Sequence, residues 1–108
     1  MRAGDLLFVS GQPGVDPTTG RAAGAGFPEQ ARQAFANLEA VLRSGGSRPE
    51  LVVSTTVSVS SHADFAELND LFAGFFRVDP PTRMTLQVPM PHGLLISIGC
   101  VAVVAEGA

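Results

Sequence analysis

Between positions 51 and 60 the chain reads Leu-Val-Val-Ser-Thr-Thr-Val-Ser-Val-Ser, and this alternation restricts the possible folds more than any other segment. A strand of period two puts Leu51, Val53, Val57 and Val59 on one face together with Thr55. Val52, Ser54, Thr56, Ser58 and Ser60 fall on the other. The apolar face demands cover by helices. The second face is small and hydroxylated, too polar for a core and too uncharged for an ordinary solvent face. Two settings suit it: the wet centre of an oligomer, or an exposed Ser/Thr ladder.

The flanking segments supply the cover. Residues 6–10, Leu-Leu-Phe-Val-Ser, read as a buried strand, followed by turn chemistry at Gly11-Gln12-Pro13-Gly14 and again at 16–20. Pro28 suits a first helical position, with Glu29 and Gln30 behind it at the positive end of the helix dipole. Phe27, Ala31, Ala34, Phe35, Leu38, Val41 and Leu42 recur at helical spacing, and Gly45-Gly46 closes a helix over about 28–44. Ser61 and Asp64 have capping-box spacing, predicting a second helix with the stripe Phe65, Leu68, Leu71, Phe72, Phe75 and Phe76. Strands over about 83–88 and 94–104 complete the chain. The order predicts an α+β fold, a mixed sheet with both helices packed on one face.

At 108 residues there is one domain, 1–108, with no repeat and no internal linker. Charged residues make up only 16% against about 25% in typical soluble domains, so part of the surface needs another cover, and oligomerisation is the simplest. Seven arginines, no lysine and a net charge of −3 argue against a nucleic-acid partner. Cys100 is the single cysteine and lies in an apolar run, where a buried structural thiol is expected; it suits a reducing, cytoplasmic setting. No apolar stretch approaches a membrane span and no signal peptide opens the chain. Two histidines leave few parts for a metal site.

Among residues with chemical potential, Arg83 stands out. Pro80 and Pro81 stiffen the entry to its strand, and Thr85, Leu86 and Val88 favour extended backbone. A guanidinium there is placed to clamp a carboxylate through two parallel hydrogen bonds. Pairing with an acid of its own fold, or pointing into water, fits the same stretch. Asn69 sits one residue off the apolar stripe of its helix, either for a specific hydrogen bond or as a boundary amide. Zinc spacing and a Walker-type loop are absent. The Gly11/Gly14 and Gly24/Gly26 pairs lack the context of a nucleotide loop. His62 at a helix start and His92 in a proline-rich turn read as exposed loop residues rather than general bases.

In order along the chain, Val9-Ser10-Gly11-Gln12, the stretch 30–38 (Gln-Ala-Arg-Gln-Ala-Phe-Ala-Asn-Leu), Phe65-x-x-x-Asn69, Phe75-Phe76 and Pro81-Thr82-Arg83 resemble the RidA/YjgF family. These are reactive-intermediate (enamine/imine) deaminases, some labelled L-PSP endoribonucleases. The resemblance covers about 4–104. It implies a chorismate-mutase-like fold, a homotrimer with clefts between subunits, and no metal or organic cofactor. It further implies a small carboxylate as ligand, held by Arg83, with the backbone of Thr85 at the reacting group and Gly11 and Asn69 shaping the cleft. Two departures accompany it. Deaminating relatives carry glutamate in a last-strand motif like Leu-Val-Glu-Ile-Glu, whereas this chain has Leu95-Ile96-Ser97-Ile98-Gly99, leaving Ser97 to hold a water. The family's N-terminal segment with its tyrosine has no counterpart. Imine hydrolysis and non-catalytic carboxylate binding both fit this pattern; ribonuclease activity fits it least.

Overall fold

The structure, a computed structural model, describes residues 1–106. Two strands open the chain, β1 (Arg2–Ala3) and β2 (Leu6–Pro13), followed by the small ribbon of β3 (Val15–Asp16) and β4 (Arg21–Ala22). Helix α1 (Phe27–Ser44) starts with Pro28 in its first turn and ends at Gly45, whose N–H bonds the carbonyls of Val41 and Leu42. A 3-10 turn (Pro49–Leu51) leads into β5 (Val52–Val59). Helix α2 (Phe65–Phe75) and strands β6 (Thr82–Gln87) and β7 (Ile96–Val103) follow. The five-stranded sheet runs β1-β2-β7-β5-β6, with β5 and β6 parallel and the other pairs antiparallel, so the mixed sheet expected from the sequence is present.

Both helices cover one face of this sheet. Leu38, Leu42 and Leu68 of the helices and Val57, Val59, Ile96, Ile98 and Ala102 of the strands are wholly buried in a single core. Burial of each leucine, isoleucine and valine side chain among them contributes about 1.5–3 kcal/mol. Asn37 ties α1 to the end of β2 and to β3, donating to the carbonyls of Pro13 (3.1 Å) and Val15 (2.8 Å). Thr55, the one hydroxyl on the buried side of β5, is satisfied by donating to the carbonyl of Thr82 at 2.8 Å.

Two local expectations need correction. The alternation of 51–60 assigns Val53 inward and Val52 outward, yet Val52 is 4% exposed and Val53 47%. The pairing with β7 slips by one residue between Val52 and Ser54, and a bulge of this kind reverses side-chain parity on one side of it. The capping box is likewise only half formed. The Ser61 hydroxyl accepts from the Ala63 N–H at 3.1 Å, but it caps a 3-10 turn (His62–Asp64) from which α2 then grows.

A second bulge lies in β2 between Val9 and Gln12, and the strand runs on to Pro13 through the first three residues of the predicted turn. Glycines make room for it: a Cβ on Gly99 would lie 3.1 Å from the Val9 carbonyl oxygen, and one on Gly11 would lie 2.5 Å from Ser97 Oγ.

The sheet face away from the helices has no cover among the described residues. Ladder register places Ser54, Thr56 and Ser58 there beside Ser97, Gly99 and Val101 of β7, with Leu6 and Phe8 from β2 and Met84 and Leu86 from β6. Phe8 is 44% and Met84 59% exposed, so the hydroxyl rows are interleaved with exposed hydrophobic side chains. A depression of about 410 Å³ on this face is lined by Phe8, Ser10, Ser54, Thr56, Gly99 and Val101 among others.

Candidate functional site

Strand β6 is an edge strand, paired only with β5. Its parallel register sets Arg83 beside Thr55 and Thr85 beside Val57, and both of those neighbours face the helices. Arg83 and Thr85 therefore point to the helix side, and each is half-buried. Helix α2 meets the guanidinium there at two points. Arg83 Nη2 donates to Asn69 Oδ1 at 2.7 Å, and the guanidinium carbon lies 4.9 Å from the centroid of the Phe72 ring. Asn69 and Phe72 are three residues apart on one helix and so share a face.

The Phe72 ring is itself fixed. It is 7% exposed and sits in a cluster with Phe76 (4.7 Å between centroids) and Phe35 (6.4 Å), while Phe75 packs on Phe35 at 4.8 Å. Edge-on and tilted contacts of this kind hold rings in one orientation. Among the described residues no carboxylate pairs with Arg83; the ion pairs observed are Arg43–Glu39 and Arg48–Glu50. A guanidinium carries five N–H donors and Asn69 takes one, so at least one two-donor edge stays available for a carboxylate.

The nominated residues divide into two groups. Arg83, Asn69 and Thr85 lie on the helix side of the sheet edge. Gly11 and Ser97 lie together on the uncovered face, where Ser97 is the register partner of Ser58. Ser58 is also in register with Leu86, so Arg83 and Ser97 are two strands and three residues apart. At ~4.8 Å per strand and ~3.3 Å per residue, this separates their Cα atoms by roughly 14 Å across the two faces. Within one chain the two groups make no common site.

The other titratable candidates are accounted for. Cys100 is 6% exposed, and burial pushes its thiol up to about 11, which leaves it a protonated core residue. The His62 ring packs on Phe65 at 5.1 Å, with its backbone N–H donated to Gln87 Oε1, and the residue is exposed. His92 is exposed in a loop. No group of three His, Cys, Asp or Glu among the described residues could hold a metal ion. No helix among them is long and apolar enough to cross a membrane. The strands β5, β6 and β7 carry no acidic residue.

Two residues of consequence carry weaker signals in the sequence. Phe72 belongs to an apolar stripe, and only its spacing of three from Asn69 marks it as part of the same seat. Gln30 is 1% exposed and spends its whole amide on backbone. It donates to the carbonyls of Gly24 (2.9 Å) and Gly93 (3.1 Å) and accepts from the Leu95 N–H (2.8 Å).

Comparison with known proteins places these features in a wider group. The family model described as Endoribonuclease L-PSP matches residues 1–104. The RutC family protein y4sK of Sinorhizobium fredii is 40% identical over 102 residues, covering 94% of this chain and 81% of that protein. The human 2-iminobutanoate/2-iminopropanoate deaminase is 35% identical over 98 residues, covering 90% of this chain and 72% of the relative. Among solved structures, RidA from the Antarctic bacterium Psychrobacter sp. PAMC 21119 superposes with a TM-score of 0.91 at 32% identity. That superposition covers 96% of this chain and 85% of the other.

Proposed function

Because the chain belongs to the endoribonuclease L-PSP family, that of RidA and YjgF, we propose that it hydrolyses small reactive 2-imino and enamine acids to 2-keto acids and ammonia. The observation that carries this reading is the Arg83 guanidinium, seated by Asn69 and Phe72 yet paired with no carboxylate among the described residues. The deaminase activity named for relatives at about 35% identity supports the reaction class.

The chemistry asked of the site is modest. Arg83 binds the substrate carboxylate across its free two-donor edge, which fixes the adjacent C2 imine carbon. Water oxygen adds to C2 as the C=N π bond breaks onto nitrogen, and both protons of that water end on the departing nitrogen. The C–N bond then breaks, giving the C2 carbonyl and ammonia. An imine carbon is already electrophilic, so positioning supplies much of the acceleration. In this reading the backbone of Thr85, on the same edge strand as Arg83, orients the reacting group. Ser97 holds the water by hydrogen bonding; a hydroxyl is no general base near neutral pH without a helper.

In this reading the working unit is a homotrimer. Exposed Phe8, Met84 and Leu86 with uncharged hydroxyl rows between them suit burial against other copies. Since Arg83 and Ser97 of one chain lie on opposite faces, a shared cleft takes Arg83 from one copy and Ser97 with Gly11 from the next. A cytoplasmic setting suits the single buried thiol, and a net charge of −3 disfavours RNA as substrate.

The test is release of ammonia or keto acid from imines generated in situ, with buffer alone as reference. Release above buffer that disappears in Arg83→Ala, and rises in Ser97→Glu, is expected. No release above buffer at high protein concentration would leave the alternative, a trimer that binds small carboxylates without turnover.

A further inference from the structure

Away from Arg83, a concavity of about 580 Å³ is lined by Val15, Gly20, Arg21, Ala22, His92 and Leu94. Its volume and mostly apolar wall with a few polar groups are those of small-molecule sites. The two residues able to carry positive charge are each placed unusually.

Arg21 lies directly across the β3–β4 ribbon from Asp16. Opposite charges so placed ordinarily meet. Here the Asp16 carboxylate folds into its own turn, where Oδ1 accepts from the Thr18 N–H at 2.8 Å and the Thr18 hydroxyl at 2.7 Å. Those bonds hold its carboxyl below the ordinary carboxylate range. Among the described residues Arg21 pairs with no other carboxylate.

His92 has a left-handed backbone, with φ of 58°, and Gly93 follows at 70°. For a residue with a Cβ this conformation costs about 1–3 kcal/mol and persists only where the surroundings impose it. They do so here. The buried Gln30 amide grips the Gly93 carbonyl and the Leu95 N–H, and the Leu94 N–H closes onto the Pro91 carbonyl at 3.1 Å. The histidine is thus set at the pocket wall by a loop tied to the core.

We propose that this pocket is a second anion site, taking a carboxylate carried on a short aliphatic body. Arg21 and His92 bind the oxygens, while Val15, Ala22 and Leu94 cover the hydrocarbon. The inference is independent of the Arg83 reading and is tested with Arg83 removed. An isotope-labelled Arg83→Ala protein is titrated with butyrate and, separately, with inorganic phosphate, following backbone amide resonances. Butyrate should give saturable shifts centred on Gly20, Arg21, Ala22, His92 and Gly93, with phosphate several-fold weaker for want of an apolar body. Arg21→Gln in the same background should weaken butyrate binding about tenfold, the scale of a lost hydrogen bond to a charged group. His92→Gln should weaken it in the same direction. Arg21 and His92 are exposed, so both variants should fold normally. No saturable shifts, phosphate binding as tight as butyrate, or a response unchanged by Arg21→Gln would overturn the proposal.

Discussion

If α2 presets the Arg83 guanidinium, breaking either contact should weaken carboxylate capture before it alters chemistry. The hydrogen bond to Asn69 is short at 2.7 Å and charge-assisted, but Asn69 is exposed. The usual 1.5–3 kcal/mol for a bond to a charged group is therefore discounted to about 1 kcal/mol. The contact with Phe72, at 4.9 Å, is worth about 0.5–1 kcal/mol for a half-buried cation. With 1.4 kcal/mol per tenfold change, Asn69→Ala should raise KM about fivefold and Phe72→Leu about threefold. The double variant should reach about fifteenfold or more, because a guanidinium freed from both contacts also regains rotamer entropy that binding must remove. kcat should fall less than KM rises. The assay is steady-state deamination with calorimetric binding of 2-ketobutyrate beside it. Phe72→Tyr, which keeps the ring face, should restore the affinity lost in Phe72→Leu. Unfolding midpoints separate this from simple destabilisation. Asn69→Ala should shift stability by less than about 0.5 kcal/mol, because alanine's better helix propensity offsets much of the lost bond, whereas Phe72→Leu loosens the phenylalanine cluster by about 1–2 kcal/mol. Unchanged affinity in both single variants, in a protein that still binds 2-ketobutyrate, would refute the idea of a preset arginine.

Other consequences are more direct. Met84→Asp, a charge placed at a side chain 59% exposed on the uncovered face, should convert the proposed trimer to smaller species in sedimentation velocity while leaving the helix content by circular dichroism unchanged. Gly11→Ala should cost about 1–3 kcal/mol in denaturant unfolding, since the new Cβ would lie 2.5 Å from Ser97 Oγ, and Ser97→Ala should restore most of it because Ser97 Cβ stands off at 3.8 Å. The Cys100 thiol, raised from its ordinary 9.0 to about 11, stays protonated in the fold where the unfolded chain ionises. Its contribution to stability is therefore full below about pH 9 and is lost as pH climbs towards about 11, a decline that Cys100→Ala should reduce in chemical denaturation series.

Periodicity alone was enough to read α1. Phe27, Ala31, Ala34, Phe35, Leu38 and Leu42 form one stripe because a helix repeats every 3.6 residues, and all of them are buried. Local chemistry also marked Pro80-Pro81 as a stiffened entry to β6, and Arg83 as a cation in an otherwise apolar, β-favouring stretch. Alternation in 51–60 foretold a strand with one hydroxylated face, but not which of Val52 and Val53 enters the core. That choice belongs to the slipped pairing with β7, whose residues Ala102 and Val101 meet Val52 and Ser54 from 50 and 47 residues further along the chain.

The candidate site was legible as residue types and obscure as a place. Spacing shows that Asn69 and Phe72 share a helix face; it does not show that the edge strand bearing Arg83 runs beneath that face. Alternation shows that Ser97 and Ile98 point in opposite directions; only the order β7-β5-β6 puts Ser97 two strands from Arg83 and behind the sheet. Short-range periodicities are written into the chain because backbone geometry imposes them on every sequence. Strand order and register arise from contacts between distant segments, each settled by burial and hydrogen bonding that no local window contains.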